Sequence, residues 1–375
     1  MNIGVILTYN YSLKDWENGG VLRRELAIYN KLFENHKINF TFFTYGDNSD
    51  KNLLRDYPHF KVIPFYSYSK KNRNRYIRIF KSVFFPIKFR KQLSTIDILH
   101  QHQLNGVWIS LLSKLIYRKK LLVRTGYDME LFAKNEGKSF FNILFYKLLT
   151  YTSVNYSDFY SVSSKSDLKN LLKKYPKKTN KIFLRQNWAN YEEKLNFNAR
   201  YSNRILTVGR LESQKNYSFL LNYFANNNLN FQIDVVGSGS ELSFLKKLAK
   251  RESLNINFIG QIDNRDLSEL YKKYKYFISS SKFEGNPKSV LEAMGSGCIV
   301  ICSNIPNHSE IINNEINGFL FNFENPQIKK ILLRLESDIS LQQKISNNSV
   351  KFIKNNNSIN LLCEKMYKDY LVLLK

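Results

Sequence analysis

The sequence predicts an α/β protein made of two doubly wound domains, and three observations carry that expectation. Short apolar runs alternate with stretches of helical spacing along nearly the whole chain. The alternation pauses once, in the polar residues 187–203, and then restarts. The chain's 375 residues are enough for two domains that each bury a core. With 43 % hydrophobic and 23 % charged residues, it is composed like a folded chain rather than a disordered one.

Taken in order, the first half reads as a strand at 3–8 and a helix at 21–33, with Leu22, Leu26, Tyr29 and Phe33 on one face. Strands follow at 39–44, 61–65 and 97–100. A helix at 106–116 leads to a strand at 121–124, and a strand at 158–162 to a helix near 166–173. The second half is more regular. Strands at 204–208, 231–236, 256–259, 276–279 and 299–302 are separated by helices at 217–224, 241–251, 267–274 and 289–296. Helices fill the rest from residue 328, broken at the Asn-rich 354–358. The expected bounds are a first domain at 1–188, a linker at 189–203 and a second domain at 204–355. A terminal helix at 356–375 is expected to pack back on the first domain. Open parallel sheets bind ligands beyond the carboxyl ends of their strands, so the chemistry is expected in those loops, facing a cleft between the domains.

Composition narrows the setting. Three cysteines, Cys298, Cys302 and Cys363, form no paired framework and suit a reducing compartment. Cys298 and Cys302 with the nearby His308 fall short of a zinc site. The opening Met1-Asn-Ile-Gly-Val-Ile-Leu-Thr turns polar too soon for a signal peptide, and no run reaches the roughly 18 apolar residues of a membrane span. A cytoplasmic protein is the expectation. The net charge of +26 demands an anionic partner: nucleic acid, a membrane surface or a phosphorylated substrate.

Two constellations carry chemistry. Gly209 ends the strand at 204–208, and Arg210 and Lys215 follow it, five residues apart, ahead of a helix. Cations beside a helix N-terminus neutralise a diphosphate by ion pairing, hydrogen bonding and the helix dipole. The plain alternative is surface charge on a loop. Downstream, Glu284-Gly285-Asn286-Pro287-Lys288 leads into a helix that carries Glu292. The turn at Gly285–Pro287 has backbone N–H groups to offer an anion or a sugar hydroxyl. A carboxylate a turn into the helix accepts hydrogen bonds from a ribose.

In this order and at about this distance, the two segments resemble the retaining glycosyltransferases of family 4, which have the GT-B fold of two Rossmann-like domains. The family shows a Gly-Arg…Lys loop followed by a Glu-x7-Glu segment. Glu292-Ala-Met-Gly-Ser-Gly-Cys-Ile-Val resembles its Glu-Ala-Met-x-x-Gly-x-Pro-Val stretch, with Ile299 in place of the proline. Asn317-Gly318-Phe319 resembles the strand beyond it. Val236-Gly237-Ser-Gly239 resembles a turn near the nucleotide base. The likeness spans residues 204–323.

The resemblance implies that Arg210 and Lys215 hold the diphosphate of a UDP- or GDP-linked sugar. Glu292 would bind the ribose and Glu284 would face the transferred sugar. Asn286, Pro287 and Lys288 would support it through their backbone, with Gly209 and Gly237 shaping the loops. In the first half Gly19 and Gly20 resemble the family's Gly-Gly turn, whose N–H groups would approach a phosphate. His102 resembles a cleft histidine on the donor sugar, with His100 two residues before it. Arg124, Tyr127 and Asp128 occupy the place of an acceptor-side turn, although they depart from the common His-Asp pattern. No Asp-x-Asp metal motif is present; Asp15/Glu17 and Asp128/Glu130 come nearest, and no metal or other cofactor is expected. The resemblance further implies retention of anomeric configuration; no well-placed nucleophile for a covalent intermediate stands out in the sequence, so a same-face route is expected, with a lipid-linked or growing envelope glycan as acceptor.

Residues 70–91 interleave cations with Tyr76, Ile77, Ile79, Phe80, Val83, Phe84 and Phe85, as an interfacial segment on an anionic membrane does. A solvated surface helix is the plain alternative, and nucleic-acid binding a weaker one. The expected place is therefore the inner face of the cell membrane. The other functions open at this point are a phosphorylase or epimerase of the same fold and a non-catalytic basic protein that binds RNA or membrane.

Overall fold

The computed structural model describes all residues from Met1 to Lys375, which divide into two compact units. The first is Met1–Arg185 together with Cys363–Lys375, and the second is Gln186–Leu362. The first holds β1 (Asn2–Ile6), β2 (Asn39–Thr44), β3 (Lys61–Pro64), β4 (Ile98–Gln101), β5 (Lys120–Arg124), β6 (Phe159–Val162) and β7 (Ile182–Leu184), in the order β3-β2-β1-β4-β5-β6-β7. The second holds β8 (Tyr201–Val208), β9 (Gln232–Val236), β10 (Ile256–Gly260), β11 (Tyr274–Ser279), β12 (Ile299–Ser303) and β13 (Phe319–Phe321), in the order β10-β9-β8-β11-β12-β13. Every pairing within these sheets is parallel. These are the two Rossmann-like units expected of the GT-B class. In each, strand order reverses once, between β1 and β4 and between β8 and β11.

Both faces of the second sheet are covered by helices, so its buried stretches carry apolar side chains on both faces rather than alternating. Ile205, Tyr276, Ile278, Ile299 and Ile301 enter one buried cluster. Their chain neighbours Leu206, Phe277, Val300 and Cys302 enter another, as the two-residue period of a strand requires. Residues 186–203 belong to this unit. Phe197 lies in its core, and the buried Arg200 guanidinium donates to the Tyr274 carbonyl at 3.1 Å and the Ser296 carbonyl at 2.6 Å.

In the first unit the helix Ile359–Leu374 is held by three of its side chains. Tyr370 Oη meets His100 Nδ1 at 2.7 Å, Asp369 takes Arg185, and Glu364 meets His36 at 2.9 Å. His100 is thus a core histidine, and burial holds it well below its usual range, hence neutral.

Candidate donor site

Strand adjacency brings the two constellations together. Because β8 and β11 are neighbours, the loops after them meet at the point where the strand order reverses, the place where open α/β sheets bind ligands. Lys215 Nζ lies 2.5 Å from Glu284 Oε1. Ser281 Oγ donates to the same oxygen at 2.7 Å, and Gln214 Nε2 approaches the other at 3.4 Å. The loops are also tied directly: Lys282 N donates to the Gln214 carbonyl and Ser280 Oγ to the Lys215 carbonyl. Burial alone would raise the Glu284 carboxyl. The Lys215 ammonium and its hydrogen bond outweigh that and hold the group below its ordinary value. Glu284 therefore remains charged at neutral pH although its side chain is only 9 % exposed.

Glycines let the loops pack this closely. Gly237 has φ +140°, and a Cβ there would sit 1.9 Å from the Gly209 carbonyl oxygen. A Cβ on Gly209 would lie 3.0 Å from Lys215 Cε, so that glycine leaves the path the lysine side chain follows. Arg210, between them, is exposed and makes no ion pair.

Pro287 caps the helix Lys288–Gly295. Asn286 is fixed ahead of it, its Oδ1 accepting from Asn187 N at 2.8 Å and its carbonyl from Asn187 Nδ2 at 2.7 Å. That leaves the Asn286 side-chain NH2 buried with no acceptor, a donor that an oxygen-rich ligand would satisfy. Glu292 lies on the second turn of the helix, where Tyr271 Oη donates to it at 3.3 Å. Behind Glu284, His308 is fully buried. Its Nδ1 lies 2.8 Å from the Ser303 carbonyl, and burial pushes its imidazole down to about 4 against the pull of Glu284. Gln214, Ser281, Asn187 and His308 were not assigned to the site from sequence. The polar run Ser279-Ser280-Ser281 at the end of an apolar strand was the available signal.

The first unit departs from expectation at Gly19 and Gly20. They stand directly ahead of the helix Leu22–His36, but not directly after β1. A short helix, Leu13–Asn18, intervenes, and Gly19 N and Gly20 N donate to the Asp15 and Glu17 carbonyls. These N–H groups are thus taken by a helix end and are not offered to a phosphate. His102, just past β4, is buried against Trp16, and its Nε2 lies 3.4 Å from Glu25 Oε2. After β5, the Tyr127 ring lies 4.0 Å from that of Phe132, tilted against it, and Asp128 caps the helix Met129–Asn135 by accepting from Glu130 N and Leu131 N. Both acidic pairs considered for a metal have structural roles: Asp15 completes a capping box with Ser12, and Glu130 pairs with Lys134 and Lys174.

The helix Arg75–Val83 presents Tyr76 and Phe80, 69 % and 66 % exposed, with Phe84 beyond it. Phe85, read from sequence as part of that apolar face, is instead fully buried beside Phe65 and Phe89.

Residues 189–352 match the family model described as glycosyl transferases group 1. Over 126 residues, 32 % of this chain and 25 % of the other, the chain is 32 % identical to the UDP-N-acetylglucosamine–peptide N-acetylglucosaminyltransferase GtfA subunit of Streptococcus agalactiae. It is 30 % identical to the capsular polysaccharide biosynthesis glycosyltransferase CapH of Staphylococcus aureus over 256 residues, 62 % of this chain and 66 % of that one. The chain spans a quarter to under half the length of the first curated relatives it matches. The solved structure of Anabaena HepE in complex with UDP-glucose matches with a TM-score of 0.77 at 14 % identity, covering 99 % of this chain and 100 % of that one, a likeness of fold. Residues 189–352 are thus a glycosyltransferase group 1 domain, carried on the second of two Rossmann-like units.

Proposed function

We propose that the chain is a glycosyltransferase that moves a sugar from a nucleotide-sugar donor to a growing, lipid-linked glycan of an envelope polysaccharide. The observation that carries this reading is the Lys215–Glu284 pair at the strand-order reversal of a glycosyltransferase group 1 domain, with Arg210 unpaired on the same loop. Arg210 and Lys215 hold the donor diphosphate, and Gly209 and Gly237 give the loops their shape. Glu292 takes the ribose. Glu284, with Asn286, Pro287 and Lys288, faces the transferred sugar. The related proteins named with UDP donors favour a UDP-linked sugar over a GDP-linked one.

The cations neutralise the departing diphosphate, which makes a metal unnecessary. Transfer proceeds on the face the leaving group vacates, with its phosphate oxygen accepting the acceptor hydroxyl proton and the anomeric configuration retained. Rate enhancement then comes from positioning and from stabilised leaving-group charge. His102 contacts the donor sugar, and the Arg124, Tyr127, Asp128 turn serves the acceptor. The acceptor's lipid end brings the enzyme to the inner face of the membrane, where Tyr76, Phe80 and Phe84 enter the interface among Arg73, Arg75, Arg78 and Lys81. No helix is long and apolar enough to cross a membrane.

A thermal-shift series tests the donor assignment. UDP and UDP-sugars should raise the melting temperature by a few degrees at a hundredfold excess over Kd, since about 2.7 kcal/mol of binding free energy is then coupled to folding. No shift with any nucleoside diphosphate would refute it.

A further inference from the structure

The donor site leaves a second feature of the first unit without a use. The helix Phe140–Tyr156 has a single charged residue, Lys147, among its 17. Phe141 is 80 % exposed and Leu148 57 %, and Leu144, Phe145 and Tyr151 are exposed on the same face, one turn apart. The neighbouring helix Val107–Tyr117 leaves Leu115 76 % exposed. Between the two helices lies a groove of about 650 Å³ with an apolar lining of Leu111, Leu112, Leu115, Thr152 and Tyr156. Arg118, Lys119 and Lys120 stand at its rim. Lys114, also on the rim, is neutralised by Asp158, whereas Arg118 and Lys120 are exposed and have no acidic partner.

We propose that this groove binds one anionic phospholipid, its acyl chain along the apolar lining and its phosphate between Arg118 and Lys120. The inference deepens the membrane docking proposed above and rests on it. Charge selects the occupant. A second copy of a chain carrying +26 would bring like charge to the contact, whereas an anionic headgroup pairs with cations that nothing else satisfies. Trp108 joins the groove's helix to the basic segment: its Nε1 donates to Ser82 Oγ at 3.0 Å, and its ring lies 6.4 Å from that of Phe145. The apolar rows of Arg75–Val83 and Phe140–Tyr156 thus flank one tryptophan.

The test places a reporter at the exposed rim, Leu115→Trp, and measures its emission over that of the parent on vesicles whose phosphatidylglycerol carries brominated acyl chains. The expected result is at least twofold quenching of the added emission on those vesicles, and none on brominated phosphatidylcholine. Arg118→Glu with Lys120→Glu should remove the quenching and weaken vesicle binding at least tenfold at low salt, with the UDP-induced thermal shift unchanged. Unquenched emission from the Leu115→Trp reporter, on protein that sediments with vesicles, overturns the proposal. So does equal binding to neutral lipid, or concentration-dependent dimerisation that Leu115→Asp abolishes, which would make the groove a contact between copies. Absence from all vesicles with the UDP shift intact removes the groove site and the docking while leaving the donor site standing.

Discussion

The two units share a plan but treat their charges in opposite ways. In the second, the loop after β8 folds its lysine onto a carboxylate that is 9 % exposed, so charge is gathered at one point and fixed there by Ser281 and Gln214. In the first, the turn after β1 is consumed in capping a short helix, and the cations lie outside, among exposed phenylalanines and tyrosines. A buried, paired charge makes a rigid site for a small anion. Exposed cations interleaved with apolar side chains make a surface for a large one. The same topology therefore supplies a pocket in one unit and a face in the other.

The largest expected effect comes from breaking the paired site. Lys215→Ala should lower transfer by roughly 10- to 100-fold, since a lost charged hydrogen bond is worth about 1.5–3 kcal/mol. It also strands Glu284, and a buried charge stripped of its partner costs about 3 kcal/mol of stability. Adding Glu284→Gln should restore the melting temperature but not transfer. A double variant as unstable as the single one would mean that the pair does not carry this part of the unit's stability.

Acid should act on both units through buried histidines. The unfolded chain protonates His308 near 6.5, whereas the folded protein resists until about 4. Its contribution is therefore complete above pH 6.5 and lost as pH falls toward 4, on the order of 2 kcal/mol between pH 6.5 and 5. Urea midpoints at those two pH values measure the loss. His308→Gln should flatten the slope, leaving the part due to His100. An unchanged slope would mean that His308 is not held neutral. The smallest effect is expected at Glu292, where substitution by Gln should weaken UDP binding about three- to tenfold and leave the melting temperature of the free protein unchanged. Unchanged affinity would remove Glu292 from the ribose.

How much of this was legible in the sequence depended on whether the backbone or tertiary packing set the geometry. The second unit was readable because its strands are covered on both faces and so appear as short apolar runs rather than alternating ones. Gly237 is also required by the close approach of the Gly209 backbone, whatever surrounds it. The Gly19–Gly20 turn misled because nothing local distinguishes a glycine that cradles an anion from one that ends a helix. Ser12 and Asp15, which form a capping box, were the overlooked sign. Asn187 lay in a stretch that reads as polar linker, and only the fold brings it to Asn286, 99 residues away. Phe85 looked like its exposed neighbours because an aromatic's sequence position does not say which side of a short helix faces the sheet.

Calorimetric titration of UDP into the parent and into Arg210→Ala tests the central claim most directly. Arg210 is exposed and supports nothing else, so its loss should leave the melting temperature unchanged. If the loop after β8 holds the donor diphosphate, affinity should fall at least about tenfold, as expected for a lost charged contact. Equal affinity for UDP in the two proteins would contradict the placement of the diphosphate at this site.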